Sequence, residues 1–433
     1  MNIIVLCPHF APDVAPTGEV MTSIVGELAA LGHRLHVVTA LPWYRHHALE
    51  PGWDGQLTRR QETDWGSITR VHPFPTDKRR IAARAVAFGG FTALATVVGA
   101  TSRLAPDVVL AMSPPLTLGL AGAVVGRVRS APFVFNVQDV FPDVAVELGL
   151  LTGPRVIDAA LRLERTIYRR ADAVTVLSDD LADNLRAKIV DRGPTTTTST
   201  DPSEPAGGPG DPAKIRVIPN FIDTDWIRPG PRENAYRAEH GLTGKQVVTY
   251  AGNVGLSQAL DLVLAAAASL TDRPEVAFVI NGGGAARADL EERARHLPNV
   301  VFVDMQPKER LPEVLAAGDI HVVPLKRGLA ASSVPSKLYS VLAAGRPIVA
   351  SVDAGTEVAR TVERAGAGLA VPPEDAEAFT AALVDLLDHP DRAEAMGAAG
   401  RRFVETWASP AMVAKAYETL FEELRDERSS ARG

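Results

Sequence analysis

The chain has 433 residues, 46% of them hydrophobic and 22% charged, which is the composition of a globular protein. This length exceeds one ordinary hydrophobic core, so we expect two domains of about 200 residues each. The formal net charge of −7 argues against a general nucleic-acid binder. The single cysteine, Cys7, excludes a disulfide framework and a cysteine-rich metal site.

Apolar runs alternate with helical patterns through the first half of the chain. The predicted strands are residues 3–7, 34–40, 107–112, 132–138, 173–178 and 215–221. They are apolar without clean alternation, which is typical of strands covered by helices on both faces of a parallel sheet. The N-terminus has no basic region and only a short apolar run, so we predict a cytoplasmic protein without a signal peptide.

Residues 85–102 form a run of 18 residues without a charge, and arginines flank it within 79–103. Its glycines, threonines and serine make it too polar for a membrane span. Two interpretations stay open. The run is a helix packed on the sheet, or its apolar side contacts a membrane surface and the arginines meet anionic lipid.

The composition changes at 193–214, which is rich in Thr, Pro, Gly and Ser and nearly free of apolar side chains. Such a segment cannot bury enough surface to offset its ordering entropy, so we predict a disordered insertion. A hinge is expected at 222–244.

A second α/β series follows the hinge. Its predicted strands are 246–252, 276–280, 300–304, 320–325, 347–351 and 368–371, and three helices are predicted at 374–388, 391–407 and 409–426. The predicted domains are 1–221, 222–408 and a terminal helical segment, 409–433, that returns to the first domain. Ligands of such sheets bind outside the carboxyl ends of the strands, so we expect the site in a cleft between the domains.

The turns after strands carry the first candidates. Gly18 opens a helix and can let backbone approach a phosphate or sugar. Asn253 and Gln258 either serve an ordinary turn or offer neutral hydrogen-bonding groups near a helix start. Asp139 follows a buried strand and is either a turn carboxylate or a carboxylate that faces the reacting sugar or the acceptor hydroxyl.

Residues 330–351 predict a small polar loop, a short helix and a buried strand. Pro335 suits the first helical position, and Gly345 with Pro347 ends the helix. A helix start favours anions, and Lys337 adds a full positive charge. The segment therefore predicts an anion site, with a solvated lysine as the alternative.

A glycine cluster at 282–284 imitates a dinucleotide-binding fingerprint, with Asp304 at the expected distance. Arg287 stands where the third glycine allows a helix and a strand to pack closely, which argues against a nicotinamide site. The histidines form no metal-binding pattern, and no P-loop or nucleophile-elbow motif occurs.

With these residues in view, the chain resembles the family-4 retaining glycosyltransferases of the GT-B fold, and among them the subgroup that builds bacterial surface polysaccharides. The resemblance covers nearly the whole chain. It is carried by HFAPDVAPTGEV, NVQDVFPDVAVELGLL, LERTIYRRADAVTVLS, KIRVIPNFIDTDWI, YAGNVGLSQALD, LPNVVFVDMQPKERLPEVLAAGDIHVVPL and SSVPSKLYSVLAAGRPIVASVD.

The resemblance implies two Rossmann-like domains facing a cleft, with the nucleotide sugar held mainly by the second domain and the acceptor mainly by the first. It implies transfer from a UDP sugar to a surface glycan or polyprenyl-linked saccharide, with retention and with no metal or other cofactor. The uracil-type base is expected near 304–307. From the residues and the resemblance together, the candidate catalytic residues are Asp139 and Lys337, and the candidate donor-binding residues are Gly18, Asn253, Gln258, Gly284, Met305, Gln306, Lys326, Ser332, Ser333, Ser336 and Ser340.

The chain departs from the family pattern at four positions. Two glutamates that many members carry are Ser332 and Ser340 here, and the usual Arg and Lys of the first turn in the second domain are Asn253 and Gln258. We therefore assign the diphosphate cation to Lys337, with Lys326 and Arg327 in reserve. A UDP-sugar epimerase of the same architecture and a non-catalytic two-domain binding protein remain as alternatives.

Overall fold

The computed structural model describes residues 1–13, 15–44, 48–74, 81–147, 151–190, 211–255, 257–328 and 337–430. The chain forms two compact units. The first comprises Met1–Pro219 together with Val413–Gly433, and the second comprises Asn220–Met412.

The first unit is built on an eight-stranded sheet with strand order β3-β4-β2-β1-β5-β6-β7-β8. All neighbours are parallel except β3, which runs antiparallel to β4 at one edge. The strands are β1 Asn2–Leu6, β2 Arg34–Ala40, β3 Thr58–Thr63, β4 Gly66–Val71, β5 Val108–Ser113, β6 Phe133–Val137, β7 Ala173–Val176 and β8 Ile215–Val217.

Helices of the first unit follow most of these strands, and their apolar sides form a core with β1, β5 and β6. They are α1 Pro16–Ala30, α2 Ile81–Ala100, α3 Leu118–Arg129, α4 Asp143–Glu147, α5 Pro154–Arg170 and α6 Asp179–Val190. Both α1 and α5 begin with proline, whose missing N–H needs no partner at a helix start. No helix in the described part of the chain is long and apolar enough to cross a membrane.

The second unit has a six-stranded sheet, parallel throughout, with strand order β11-β10-β9-β12-β13-β14. Its strands are β9 Gln246–Ala251, β10 Val276–Asn281, β11 Val300–Val303, β12 Ile320–Pro324, β13 Ile348–Ser351 and β14 Gly368–Val371. Its helices are α7 Ala235–Glu239, α8 Asp261–Ser269, α9 Arg287–Ala294, α10 Leu311–Ala317, α11 Lys337–Ala343, α12 Glu357–Ala365, α13 Ala376–Asp388 and α14 Pro390–Trp407.

The last helix, α15 Pro410–Ser430, packs on the first unit. Its Tyr417 is fully enclosed, and the hydroxyl lies 2.7 Å from Asn136 Nδ2 on β6 and 3.1 Å from Thr175 Oγ1 on β7. Glu418 pairs with His33 at 3.1 Å. Buried polar groups in contact with one another fix the helix to this sheet more specifically than apolar packing does.

The predicted fold class is confirmed, since both units are helix-covered sheets with parallel strands. The strands β3 and β4 were not predicted. The outermost strand, β3, has the sequence TRRQET and an exposed or half-exposed side chain at every position, so it lacks the apolar run that marks the other strands.

One segment prediction needs correction. Most of the predicted disordered insertion at 193–214 lies outside the described residues, but Pro212–Lys214 form a short 3-10 helix capped by the Asp211 carboxylate. The predicted hinge at 222–244 directly follows the division between the two units at Pro219 and Asn220, and it stays a prediction. Within this segment Ile227 is fully buried, and Arg237 pairs with Asp319 at 2.6 Å.

Candidate functional site

The loops that follow β9 and β10 touch at the carboxyl edge of the second sheet. Gly252 donates its N–H to Asn281 O at 3.0 Å. Gly282 has φ +146°, and a Cβ there would lie 1.9 Å from Gly252 O. Only glycine combines this backbone conformation with so close an approach. The contact therefore fixes both loops at the carboxyl edge of the sheet, which is where ligands of parallel α/β sheets bind.

The second contact between the two loops fixes the predicted donor-binding residues Asn253 and Gly284. A Cβ on Gly284 would lie 2.3 Å from Val254 O and 2.7 Å from Asn253 Oδ1. Val254 donates its N–H to Gly283 O at 2.9 Å. Asn253 is exposed, so its side chain can reach a ligand while its backbone is held in place.

Lys337, the first residue of α11, extends to the end of β9. Its Nζ donates to the Tyr250 hydroxyl at 2.9 Å and to Gln258 Oε1 at 2.6 Å, and it lies 4.3 Å from the centre of the Tyr250 ring. The Tyr250 hydroxyl donates in turn to Asn253 O at 2.5 Å. Three predicted residues, Lys337, Gln258 and Asn253, are therefore brought together around one tyrosine.

The electrostatics of this cluster are those of a cation without an anionic partner. In the described part of the chain Lys337 forms no ion pair, and its contacts are a neutral amide, a phenol and an aromatic face. Desolvation lowers the pKa of the Lys337 ammonium to about 7. Burial raises the pKa of the Tyr250 phenol, so that group stays neutral. An anion bound at this site would accept a charge-assisted hydrogen bond from Lys337 Nζ.

The remaining predicted donor-binding residues are partly described. Lys326 is half-buried after β12, and its N–H donates to Ser257 O at 3.1 Å. Ser340 is half-buried on α11, one turn beyond Lys337. Ser332, Ser333 and Ser336 lie outside the described residues, as does the loop that carries them.

The segment proposed for the base follows β11. Met305 is 58% exposed, a high value for a large apolar side chain, and Gln306 accepts a hydrogen bond from Arg310 at 3.1 Å. Asp304 pairs with Arg287 at 2.9 Å. Arg287 also donates to Val303 O at 3.0 Å, so its long side chain covers the end of β11. Arg287, which stands where the fingerprint has its third glycine, therefore uses its guanidinium for contacts within the second unit.

The two predicted residues of the first unit have different settings. A Cβ on Gly18 would lie 2.8 Å from His9 Cβ, so this glycine lets α1 pack against the loop after β1. Asp139 lies two residues after β6 and is exposed. The surrounding protein nevertheless raises the pKa of its carboxyl by desolvation. Because the residue is exposed, the Asp139 carboxylate reaches solvent.

Sequence reasoning missed Tyr250, which organises the cluster. It ends the apolar run of β9 and is fully buried, so in sequence it looks like any core aromatic residue. Within the described residues, no group of three or more His, Cys, Asp or Glu side chains is arranged to hold a metal ion.

Comparison with solved structures defines the class of protein. The chain aligns over 98% of its length with sucrose-phosphate synthase from Thermosynechococcus elongatus, covering 99% of that chain with a TM-score of 0.69 and 19% identity. It aligns over 97% of its length with Anabaena HepE in complex with UDP-glucose, covering 99% of that chain with a TM-score of 0.63 and 14% identity. The fold is GT-B.

Comparison of sequences gives the family. Residues 17–200 match the model described as Glycosyl transferase 4-like domain, and residues 245–389 match the model described as Glycosyl transferases group 1. The colanic acid biosynthesis glycosyl transferase WcaI of Escherichia coli K12 is 29% identical over 395 residues, which are 88% of this chain and 91% of WcaI. The chain belongs to the group 1 glycosyltransferases, as its sequence motifs indicated.

Proposed function

We propose that the chain transfers a hexosyl group from a UDP-linked sugar to a growing surface glycan or a lipid-linked saccharide, with retention at the anomeric carbon and without a metal. The observation that carries the proposal is the Lys337 ammonium. It lies at the carboxyl end of β9 with neutral partners, beside the glycine loops at 252 and 282.

The chemistry follows from that charge. As the bond from the anomeric carbon to the phosphate oxygen breaks, negative charge develops on the leaving diphosphate, and Lys337 stabilises it. The acceptor oxygen forms the new glycosidic bond on the same face of the sugar. Its proton passes to the departing phosphate oxygen. Gln258 holds the ammonium in place, and Asn253 offers its exposed amide to the donor.

The nature of the donor and acceptor rests on relatives. HepE was crystallised with UDP-glucose, which supports UDP, and the exposed Met305 offers an apolar surface to a uracil-type base. WcaI is named for colanic acid biosynthesis, which supports a surface polysaccharide as the product. Asp139 is proposed to orient the acceptor or the transferred sugar.

The first test is a thermal-shift screen of the full chain with UDP, GDP and dTDP. A ligand that binds only the folded state adds about 2.7 kcal/mol at 100 times its dissociation constant, which is readily detected. We expect UDP to raise the melting temperature most. Preference for another nucleotide would overturn the donor assignment, and no response to any of the three would overturn the nucleotide-sugar function.

Incubation with UDP-GlcNAc separates the alternatives. A glycosyltransferase forms product only when a saccharide acceptor is added, and NMR of the product then gives the anomeric configuration. Conversion of UDP-GlcNAc without an acceptor would indicate an epimerase. Stabilisation by the nucleotide without any turnover would indicate a binding protein.

We also propose that α2 contacts the inner face of the plasma membrane. Val86, Gly89, Ala93 and Val97 are exposed and recur at helical spacing, so they form one uncharged face of α2, and the exposed Arg103 follows the helix. Sedimentation with anionic vesicles should be stronger than with zwitterionic ones. The double variant Val86→Glu, Val97→Glu should no longer sediment with anionic vesicles, whereas Val156→Glu on α5 should sediment as wild type does. Equal sedimentation of all three proteins would contradict this proposal.

A further inference from the structure

The first unit contains a histidine–carboxylate pair that the proposed reaction does not use. In the loop between β1 and α1, His9 Nδ1 lies 2.6 Å from Asp13 Oδ2. The Asp13 side chain is only 1% exposed, and its other oxygen accepts the Tyr44 N–H at 3.1 Å. A carboxylate this deeply buried needs a donor, so Nδ1 carries a proton and the orientation of the imidazole is fixed.

Three further contacts hold the His9 ring. Trp43 stacks on it with ring centroids 5.7 Å apart and planes inclined at 29°, and Tyr44 meets it edge-on at 5.2 Å. Behind the ring, the helix start at Gly18 comes so close that a Cβ there would lie 2.8 Å from His9 Cβ. The imidazole therefore cannot shift without moving the loop and α1 together.

The second ring nitrogen, Nε2, has no hydrogen-bond partner in the described part of the chain. The His9 side chain is 11% exposed, so it is not fully enclosed by the protein. If His9 served only to hold the loop in place through Asp13, its Nδ1 would be sufficient. The imidazole adds a second polar atom, which lies beside the rings of Trp43 and the exposed Tyr44.

We propose that His9 Nε2 hydrogen-bonds a hydroxyl of the acceptor saccharide, and that the Trp43 and Tyr44 rings contact the apolar face of that sugar. This inference rests on the proposed function, because that function supplies the saccharide. A few fixed polar groups among aromatic side chains are the usual composition of a small-molecule site. His9 is then a binding residue, and Asp13 is the residue that positions it.

The test compares His9→Asn with the wild-type full chain. The asparagine Nδ2 occupies the place of the imidazole Nδ1, so it keeps the hydrogen bond to Asp13 and loses only Nε2. The probes are p-nitrophenyl glycosides of glucose, galactose, mannose and N-acetylglucosamine, followed by saturation-transfer NMR without a donor. We expect wild type to bind at least one glycoside and His9→Asn to bind it about tenfold more weakly. His72→Asn, in the same unit, serves as the control and should bind as wild type does.

Two results would overturn the inference. One is that wild type binds none of the glycosides, and the other is that His9→Asn binds them as wild type does. Should His9→Asn fail to fold, histidine-labelled wild type is titrated instead, and the Nε2 resonance of His9 must move as the glycoside binds; an unmoved resonance contradicts the inference.

The donor test stays separate from this one. Thermal shift with UDP is measured on the same proteins, and His9→Asn should respond to UDP as wild type does. If wild type binds a glycoside but shows no thermal shift with UDP, the proposed transfer is overturned, while the assignment of His9 to a saccharide site is not.

Discussion

Lys337 places an amine among neutral neighbours, Tyr250 and Gln258, which do not compensate its positive charge. The cost of this arrangement appears as the lowered pKa, about 7, of its ammonium. A charged side chain that destabilises the free protein, and that is stabilised when an anion binds beside it, is typical of a functional position.

Replacing Lys337 with methionine tests its role. We expect Lys337→Met to lower turnover by at least about 10²-fold, the usual effect of removing one group that stabilises developing charge. Its melting temperature at pH 6 should not fall, because a desolvated ammonium is removed. The matched control is Lys245→Met, just before the amino end of β9, where Nζ donates to Pro274 O at 3.0 Å. Similar losses in both variants, or near-normal turnover in Lys337→Met, would remove Lys337 from the site.

The lowered pKa of Lys337 predicts a pH dependence of donor binding. The ammonium is charged below about pH 7 and increasingly neutral above it, whereas a bound diphosphate favours the charged form. The affinity for UDP-glucose, whose phosphates stay ionised, should therefore fall as pH rises from 6 to 8.5, and binding near pH 8 should take up a proton. Calorimetry in buffers of different ionisation enthalpy measures both, and an affinity independent of pH would contradict the assignment.

The same shift has a consequence for stability. The folded-state pKa of Lys337 lies below its unfolded value, so the charged form is disfavoured by folding. This destabilisation is fully present below about pH 7 and is relieved as pH rises toward the ordinary lysine pKa. Lys337→Met should therefore gain most over wild type at low pH.

The segment around Lys337 and the family resemblance predict an anion site, and that role stays a prediction. The contacts of the Lys337 side chain could not be predicted from the sequence. The role of Tyr250 depends on its hydroxyl reaching Asn253 O and Lys337 Nζ, and nothing in the sequence distinguishes that hydroxyl from those of other buried tyrosines. The pairing of His9 with Asp13 likewise depends on the path of a loop.

At the scale of elements, the loops after β9 and β10 and the start of α11 shape the candidate donor site. The loop after β9 and the loop after β10 approach so closely that a Cβ on Gly282 would lie 1.9 Å from Gly252 O. Filling that space is expected to push the two loops apart beside Lys337, whose Nζ would lie 3.8 Å from a Cβ on Gly252.

Gly282→Ala tests the contact between the loops. The new Cβ would meet a backbone oxygen at 1.9 Å in a conformation that alanine avoids, so we expect a loss of at least about 2 kcal/mol in the free energy of unfolding. Gly283→Ala is the control, because nothing lies within 4 Å of its added Cβ. Urea denaturation measures both variants, and equal stabilities would show that the approach is looser than described.

The elements that the sequence predicted correctly are those with apolar runs, and β9 to β14 were all anticipated. The pair β3 and β4 was missed because the outer strand is polar and exposed, while β4 carries Thr69 and Arg70 among its buried residues and so lacks an apolar run. Arg70 is buried because it donates to backbone oxygens of the β1–α1 loop, including Phe10 O at 3.4 Å. Periodicity does not reveal such a contact.

At the scale of the molecule, the last helix of the chain packs on the first unit and completes it. Helix α15 follows almost 200 residues of the second unit in sequence, yet its Tyr417 contacts β6 and β7. The amphipathic pattern of α15 predicted a packed helix, while the family resemblance, rather than the pattern, indicated which unit it joins.

Tyr417→Phe tests how much the contacts of α15 with β6 and β7 stabilise the first unit. It leaves the ring in place but deprives Asn136 Nδ2 of a buried partner at 2.7 Å, so we expect the first unit to lose about 1–3 kcal/mol. Glu423→Ala, on the exposed side of the same helix, should leave stability within about 0.5 kcal/mol of wild type. Denaturant unfolding followed by tryptophan fluorescence compares the two variants. If Tyr417→Phe has the same free energy of unfolding as wild type, the hydroxyl does not contribute to the packing of α15.

The most direct test of the whole account is a crystal structure of the full chain with UDP-glucose. The account predicts a diphosphate oxygen within about 3.2 Å of Lys337 Nζ, at the carboxyl end of β9. A diphosphate ordered elsewhere, with Lys337 still bonded to Gln258 and Tyr250, would contradict it.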